Sequence, residues 1–250
     1  MSSDNEAKLM VSSAVGFVFG LSSFFKGFKT WRLKRLMENT PTSKVRSIAM
    51  GLVEVYGEAF PAVKILQSPF SQTDCLYFYY KIEEYRSSGK SSHWVTVKEE
   101  TQRTLFYLRD ETGEVLVDTN GANIDIPGVP ISEATPQIRN FLSREGIAHE
   151  GWFGLNKKMR FTEAIITPHD QLYILGTAGL SPHVDDITTQ DSAGRTMIHK
   201  GDNNQNYYIA NRSESKIENE KTSGALWQIY GGGAVALICL AVFLFTLKIL

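Results

Sequence analysis

The distribution of apolar and charged residues divides the chain into three parts. No charged residue occurs from Thr222 to Leu247, and Ile229 to Leu247 is almost continuously apolar. The nineteen residues of that run rise roughly 28 Å as a helix, close to the hydrocarbon thickness of a bilayer. The pattern predicts a transmembrane helix over 225–247, with Trp227 and Tyr230 at its entrance, where amphipathic rings favour the headgroup layer. A second uncharged run, Leu9 to Phe25, predicts a first transmembrane helix over 9–28 behind a polar tail at 1–8. Serines dilute it, but Ser12, Gly16 and Gly20 recur every fourth residue along one helix face. Small residues at that spacing let two membrane helices approach closely, and Gly231 to Gly233 are the candidate facing surface.

Between these runs the period changes to two. Ile48 to Tyr56, Ala62 to Leu66, Cys75 to Tyr85, His93 to Lys98, Thr104 to Leu108 and Glu114 to Val117 read as strands rich in Val, Ile, Phe and Tyr. Arg160 to Ile166 and Leu172 to Gly176 continue the pattern. Thr196 to His199 and Asn206 to Ala210 read as a closing hairpin across Gly201 to Asn204. Thr135 to Gly146 is the one soluble helix: Pro136 suits its first turn, Ile138, Phe141 and Leu142 form an apolar stripe, and Gly146 ends it. The expected fold is membrane-anchored and mainly β (α+β), a barrel-like or sandwich-like domain over 44–211 with one surface helix. A basic linker at 29–43 and a polar one at 212–224 join it to the two transmembrane helices.

Charge refines this picture. The net charge is −1, which argues against a nucleic-acid partner, so basic character is local. Lys26, Lys29, Arg32, Lys34 and Arg35 follow the first apolar run immediately, interleaved with Phe28 and Trp31. Basic residues beside a membrane helix stay on the cytoplasmic side and are drawn to anionic headgroups. The expectation is an integral, two-pass protein whose central domain is cytoplasmic and whose partners are the lipid bilayer and either another protein or a second copy. The chain has two cysteines, Cys75 and Cys239, far apart in sequence; this argues against a disulfide framework and excludes a zinc RING or ribbon within these residues.

Candidate chemistry is sparse. Cys75 and His93 form a nucleophile–base pair only if their strands bring them together, and a lone cysteine in an aromatic strand is more often a small core residue. His183, Asp185 and Asp186, with Asp191 nearby, are weak candidates for a divalent cation, at a spacing common in polar loops. No phosphate-cradling glycine loop occurs, and no cofactor is expected. Strand alternation places Arg160 and Thr162 on one face and Glu163 on the other, which favours structural hydrogen bonds over a binding role. Trp152 and Phe153, flanked by Gly151 and Gly154, read as a core plug, with a membrane or partner contact as the alternative.

The runs ENTPTSKVRSIAMGLVEVYGEAF (Glu38 to Phe60) and SPFSQTDCLYFYYKIEEYR (Ser68 to Arg86) resemble the membrane-flanked domain of the GIDE family. So do KKMRFTEAIITPHDQLYILGTA (Lys157 to Ala178) and NQNYYIANRSES (Asn204 to Ser215), and so does the layout with a membrane helix on each side. Lys44, Arg46, Gly51, Cys75, Arg160, Glu163 and Gly176 fall within the resembling stretches. The family includes mitochondrial ubiquitin ligases of animals and plants and RING-less prokaryotic proteins. In the ligases a C-terminal RING carries transfer, and no residue here matches its zinc ligands. Mitochondrial members place the domain in the intermembrane space, against the cytoplasmic side read from the basic flank, and a RING-less prokaryotic member reconciles the two. The resemblance implies a RING-less, non-catalytic interaction, scaffold or sensing domain at the membrane surface. The alternatives are a component of a ubiquitin-ligase system with catalysis supplied by a partner, and a lipid- or metal-binding module.

Overall fold

The computed structural model describes residues 3–89, 91–131, 133–148, 157–180, 196–201, 206–211 and 214–247. The chain forms two compact units, one of residues 1–41 with 213–250 and one of 42–212. In the first, α1 (Ser3–Asn39) and α3 (Glu214–Thr246) pack along each other. Both are long and apolar enough to cross a membrane, over Ala7–Asn39 and Leu226–Thr246. The expected linker at 29–43 is instead helical as far as Asn39. Trp31 to Met37 contains no helix breaker, and the helix stops before Thr40–Pro41, where a residue preceding proline disfavours helical backbone.

In the second unit, five strands close a barrel. These are β1 (Gly51–Pro61), β6 (Phe106–Asp110), β7 (Gly113–Val117), β12 (Thr196–His199) and β11 (Gln171–Leu180), with β11 returning to pair with β1 from Gly51↔Ala178 to Glu58↔Gln171. All neighbours are antiparallel except β12 and β7. Val53, Val55, Phe106, Leu108, Val115, Val117, Ile174 and Ile198 fill the interior. Gly57 is needed at the β1–β6 seam: a Cβ there would lie 2.5 Å from the Arg109 carbonyl oxygen. The barrel-like fold expected from sequence is the one found.

Several boundaries differ from the periodicity reading. Val45–Ser47 is a 3-10 turn, so β1 begins at Gly51 and runs on to Pro61. Only Leu66–Gln67 (β2) of the next apolar run is a strand, paired with β3 (Asp74–Cys75). Thr196–His199 and β13 (Tyr208–Ala210) do not form a hairpin with each other; both pair with β11, the first at Thr177–Leu180 and the second at Tyr173–Leu175. β13 also pairs in parallel with the short β8 (Asn123–Asp125).

A second sheet, in the order β5-β4-β10-β9, is built from β4 (Tyr77–Ser88), β5 (Ser91–Arg103), β9 (Val129–Ile131) and β10 (Met159–Ile166). Helix α2 (Pro136–Arg144) buries Ile138, Phe141 and Leu142 against Phe78, Tyr80, Ile82 and Phe161 of this sheet. Thr135 caps the helix by accepting from the Ile138 amide at 3.3 Å, and Gly146 follows it with φ +65°.

The two ends of this unit attach to the neighbouring strands β1 and β11. Glu54, fully buried in β1, accepts from the Thr42 hydroxyl at 2.8 Å and from the Tyr173 hydroxyl at 2.7 Å. Tyr173 in turn lies opposite Ala210, the last residue of β13. The segments that enter and leave the unit are thus fixed to the same neighbouring strands.

Candidate functional site

Alternation along β4 gives its sheet two different faces. Phe78, Tyr80 and Ile82 point to α2, while Tyr77, Tyr79, Lys81, Glu83 and Tyr85 point to the other side. Register with β10 sets Arg160 opposite Glu83, Thr162 opposite Lys81 and Ala164 opposite Tyr79. Register with β5 sets Trp94 opposite Tyr85 and Glu99 opposite Lys81, with an irregularity at Val97 where pairing shifts by one residue. At its foot this second face is covered by residues 124–128, which leave a hollow of about 250 Å³ against Tyr77, Tyr79, Lys81, Thr162 and Ala164. Above the hollow, among the described residues, Tyr85, Lys158 and Arg160 are exposed.

The exposed part carries a ladder of cations and rings. The Lys158 ammonium lies 4.9 Å from the Tyr85 ring centre, Tyr85 packs edge-on to Trp94 at 5.2 Å, and the Arg160 guanidinium sits 4.7 Å over Trp94. Arg160 is held there by two hydrogen bonds to Glu83, at 2.6 and 3.0 Å, and Lys81 adds a third cationic contact at 3.3 Å. The Arg160 bond holds the Glu83 carboxyl below the ordinary carboxylate range and raises the guanidinium in return. Burial, aided by the hydrogen bond to Glu99, pushes the Tyr79 phenol up to about 12.

Glu163 lies on the opposite face. Its carboxylate accepts from the Phe70 amide at 2.8 Å and the Ser71 amide at 3.1 Å, pinning the loop between β2 and β3. The remaining residues of the resembling stretches serve the frame. Lys44 pairs with Glu111, and the Arg46 amide donates to Thr112 at 3.1 Å, tying the start of the unit to the β6–β7 turn. Gly51 opens β1 at φ +114°, and a Cβ on Gly176 would lie 2.7 Å from Ile198. Cys75 is fully buried, and burial with the charges of Glu163 and Asp74 pushes its thiol up to about 11. His93 stands opposite Arg86 near the far end of β4, whereas Cys75 lies in β3 before that strand begins, so the two make no dyad.

The helical pair gathers the other candidates. A Cβ on Gly16 would lie 2.6 Å from Cys239 Sγ, and one on Gly20 would lie 2.7 Å from the Ala236 amide and 2.8 Å from the Gly232 carbonyl. The Ser12 hydroxyl bonds to the Leu9 carbonyl at 3.0 Å. Gly27 abuts Ile229, which sets Trp227 and Tyr230 level with Lys26 and Lys29. One and two turns further along α1, Arg35 lies 5.1 Å over Trp31 and Lys34 pairs with Glu38 at 3.0 Å, with Arg32 between them in sequence. His183, Asp185, Asp186 and Asp191, and the Gly151 to Gly154 loop, lie outside the described residues. Among the described residues no group of three or more His, Cys, Asp or Glu is placed to hold a metal ion.

Sequence reasoning reached Arg160 and Glu163 but not Glu83, Lys81, Tyr85 and Trp94 as their surroundings. The available signal was the run of odd-numbered polar and aromatic residues from Tyr77 to Tyr85; what it lacked was the register to β10.

No curated protein and no solved structure matches the chain. One family model does, that of GIDE, described as E3 ubiquitin ligase, over residues 77–245, which takes in the second sheet, α2, the barrel strands β6, β7, β11 and β12, and most of α3. With more than half of its length matched, the chain belongs to the GIDE family.

Proposed function

We propose that this protein is a membrane-anchored recognition domain that binds a protein partner on the open face of its second sheet and performs no chemistry itself. The observation that supports this most is the Lys158–Tyr85–Trp94–Arg160 ladder. Aromatic rings and arginine side by side on an accessible surface are the residues that dominate protein–protein binding energies. Buried Cys75, its thiol pushed up to about 11, is a poor nucleophile and fits a structural role. In this reading α1 and α3 cross the bilayer, and the basic turns from Lys26 to Arg35 keep the barrel unit on the cytoplasmic side. Attachment at both ends raises the effective concentration of the open face for membrane-bound partners, the property a scaffold or sensor uses.

Three measurements test the proposal. Full-length chain in phosphatidylcholine nanodiscs, supplied with ubiquitin, an activating enzyme and a panel of conjugating enzymes, is expected to give no chain-dependent transfer; transfer by the chain alone overturns the non-catalytic reading. Trp94→Ala with Arg160→Ala is expected to remove the protein cross-links formed by the wild type in native membranes while leaving secondary structure intact. Retention of the same cross-linked species overturns the open face as the binding surface. In sealed inverted vesicles, protease added outside is expected to digest 42–212; protection of that unit overturns the cytoplasmic orientation.

The family description favours a second reading, in which the domain serves a ubiquitin-ligase system whose catalytic part is another polypeptide. Restored transfer when a RING-bearing partner is added, lost again with the Trp94→Ala and Arg160→Ala pair, distinguishes it. A lipid- or metal-binding module is the third reading, and loss of a bound ion in Asp185→Ala with Asp186→Ala is its test.

A further inference from the structure

We propose that the hollow at the foot of the second sheet is a binding site for a small carboxylate with an apolar tail, a use independent of the partner surface above it. At about 250 Å³ the space lies just below the usual range of drug-sized ligand sites, which limits the occupant to a small molecule. Its base is apolar, made by Ile124, Ile126, Ala164 and the ring of Tyr79, and its polar side is formed by Lys81 and Thr162.

The fold builds this hollow in advance of any ligand. Residues 124–128 bridge two paired strands, with β8 held by β13 at one end and β9 held by β10 at the other. Gly128 lets the bridge lie against the sheet, since a Cβ there would come 2.5 Å from Thr162 Cγ2. Thr162 and Ala164 point the same way from β10, opposite Lys81 and Tyr79. A wall fixed at both ends against a paired sheet costs little ordering on binding.

The polar groups have donors to spare. An ammonium carries three N–H donors, and Lys81 directs one at Glu83, 3.3 Å away. Both Glu83 oxygens are already engaged by Arg160, so that pair leaves the Lys81 charge only partly offset. Glu99, opposite Lys81 on β5, accepts from the Tyr79 hydroxyl at 3.0 Å. The Thr162 hydroxyl has no hydrogen-bond partner among the described residues. A lining with unspent donors above an apolar base suits an acceptor-bearing anion whose tail is apolar. A neutral ligand of the same shape would forgo the charge-assisted bond to Lys81.

The test uses 4-fluorophenylacetate as the probe and full-length chain in phosphatidylcholine nanodiscs, read by fluorine NMR, with empty nanodiscs to subtract partition into lipid. Saturable binding is expected with a dissociation constant on the order of 0.1–1 mM, as befits so small a molecule. Lys81→Met, and separately the neutral 4-fluorophenylacetamide with wild-type chain, should each weaken binding about tenfold. Ala164→Leu should fill the hollow and remove saturable binding. Equal affinity for acid and amide, undiminished binding by Lys81→Met, or no saturable binding by a chain whose thermal transition is intact overturns the proposal. None of these variants touches Trp94 or Arg160, so failure here is separable from failure of the partner-surface reading.

Discussion

Glu163→Ala is expected to loosen the second sheet and its helix more than any surface substitution. Glu163 is 5% exposed, and its carboxylate accepts from two backbone amides, Phe70 at 2.8 Å and Ser71 at 3.1 Å. Those bonds hold a loop whose Gln72 has φ +56°, a left-handed conformation that a free loop would not keep. They also seat the Phe70 ring edge-on against Tyr80, Phe141 and Phe161 at 5.3–5.6 Å. Removing the acceptor strands both amides, at about 1–3 kcal/mol for each that stays dry. Phe70 remains buried, whereas Ser71 is exposed and can turn to water, so the expected loss is about 3 kcal/mol. For a domain of this size that corresponds to roughly 6–12 °C in melting temperature. Glu163→Gln keeps one carbonyl acceptor and should lose about half as much. Thermal melts of the full chain in detergent, followed by near-ultraviolet circular dichroism, measure the global effect, and hydrogen exchange at Phe70 and Ser71 measures the local one. The reasoning fails if Glu163→Ala melts within about 2 °C of wild type, or if those two amides keep their protection without it.

Three further predictions concern other parts of the molecule. A Cβ on Gly16 would lie 3.6 Å from Cys239 Cβ, within the separation disulfides require, so Gly16→Cys should cross-link α1 to α3 under mild oxidation while Val15→Cys does not; absence of the bond on non-reducing gels after cleavage between the helices counts against the helix pairing. Because the Arg160 hydrogen bond depresses Glu83, the unfolded state binds more protons once the pH falls below about 4.5, so the stability from this pair is present above that pH and lost as pH falls through the depressed folded value. Arg160→Met should flatten that part of the stability profile, and an unchanged slope in acid-range melts refutes the assignment. Gly57→Ala places a methyl 2.5 Å from the Arg109 carbonyl and should cost about 1–3 kcal/mol by prying β1 from β6, visible as a lowered denaturation midpoint; a midpoint equal to wild type means the seam is looser than described.

What was legible in the sequence follows from the range over which each feature is determined. Strand periodicity, the helix signals at Pro136 and Gly146 and the glycine face of α1 are local, and they correspond to β4, β6, β7 and β10, to α2 and to the close approach at Gly20. The misread hairpin shows where locality misleads. Gly201 to Asn204 has the composition of a reversal, yet β11 is ten residues long and offers Thr177–Leu180 to one strand and Tyr173–Leu175 to the next. Two short strands laid end to end along a longer one gain more ladder than they would from pairing with each other. The three-residue strands β8 and β9 are too short to show a period at all, although the wall of the hollow hangs between them.

The run from Tyr77 to Tyr85 carries the deeper case. Read along the chain it is a dense aromatic strand, and the sensible inference is a core. It is a core on one parity only: Phe78, Tyr80 and Ile82 are buried beneath α2, while Tyr85 is 38% exposed and bears the Trp94 contact. The outward parity is the one on which Glu83 meets Arg160, a partner 77 residues later. A strand with rings on both faces has no hydrophobic preference for its own orientation, so register must come from elsewhere. Here polar pairs supply it: Glu83 with Arg160 on one face, and Tyr80 with Glu100 at 2.9 Å on the other. A one-residue slip of β4 against β10 would set Arg160 against Ile82 or Glu84 and carry Glu83 into the apolar layer beneath α2. The salt bridge that holds Arg160 over Trp94 therefore also favours the register that keeps the aromatic core on its own side.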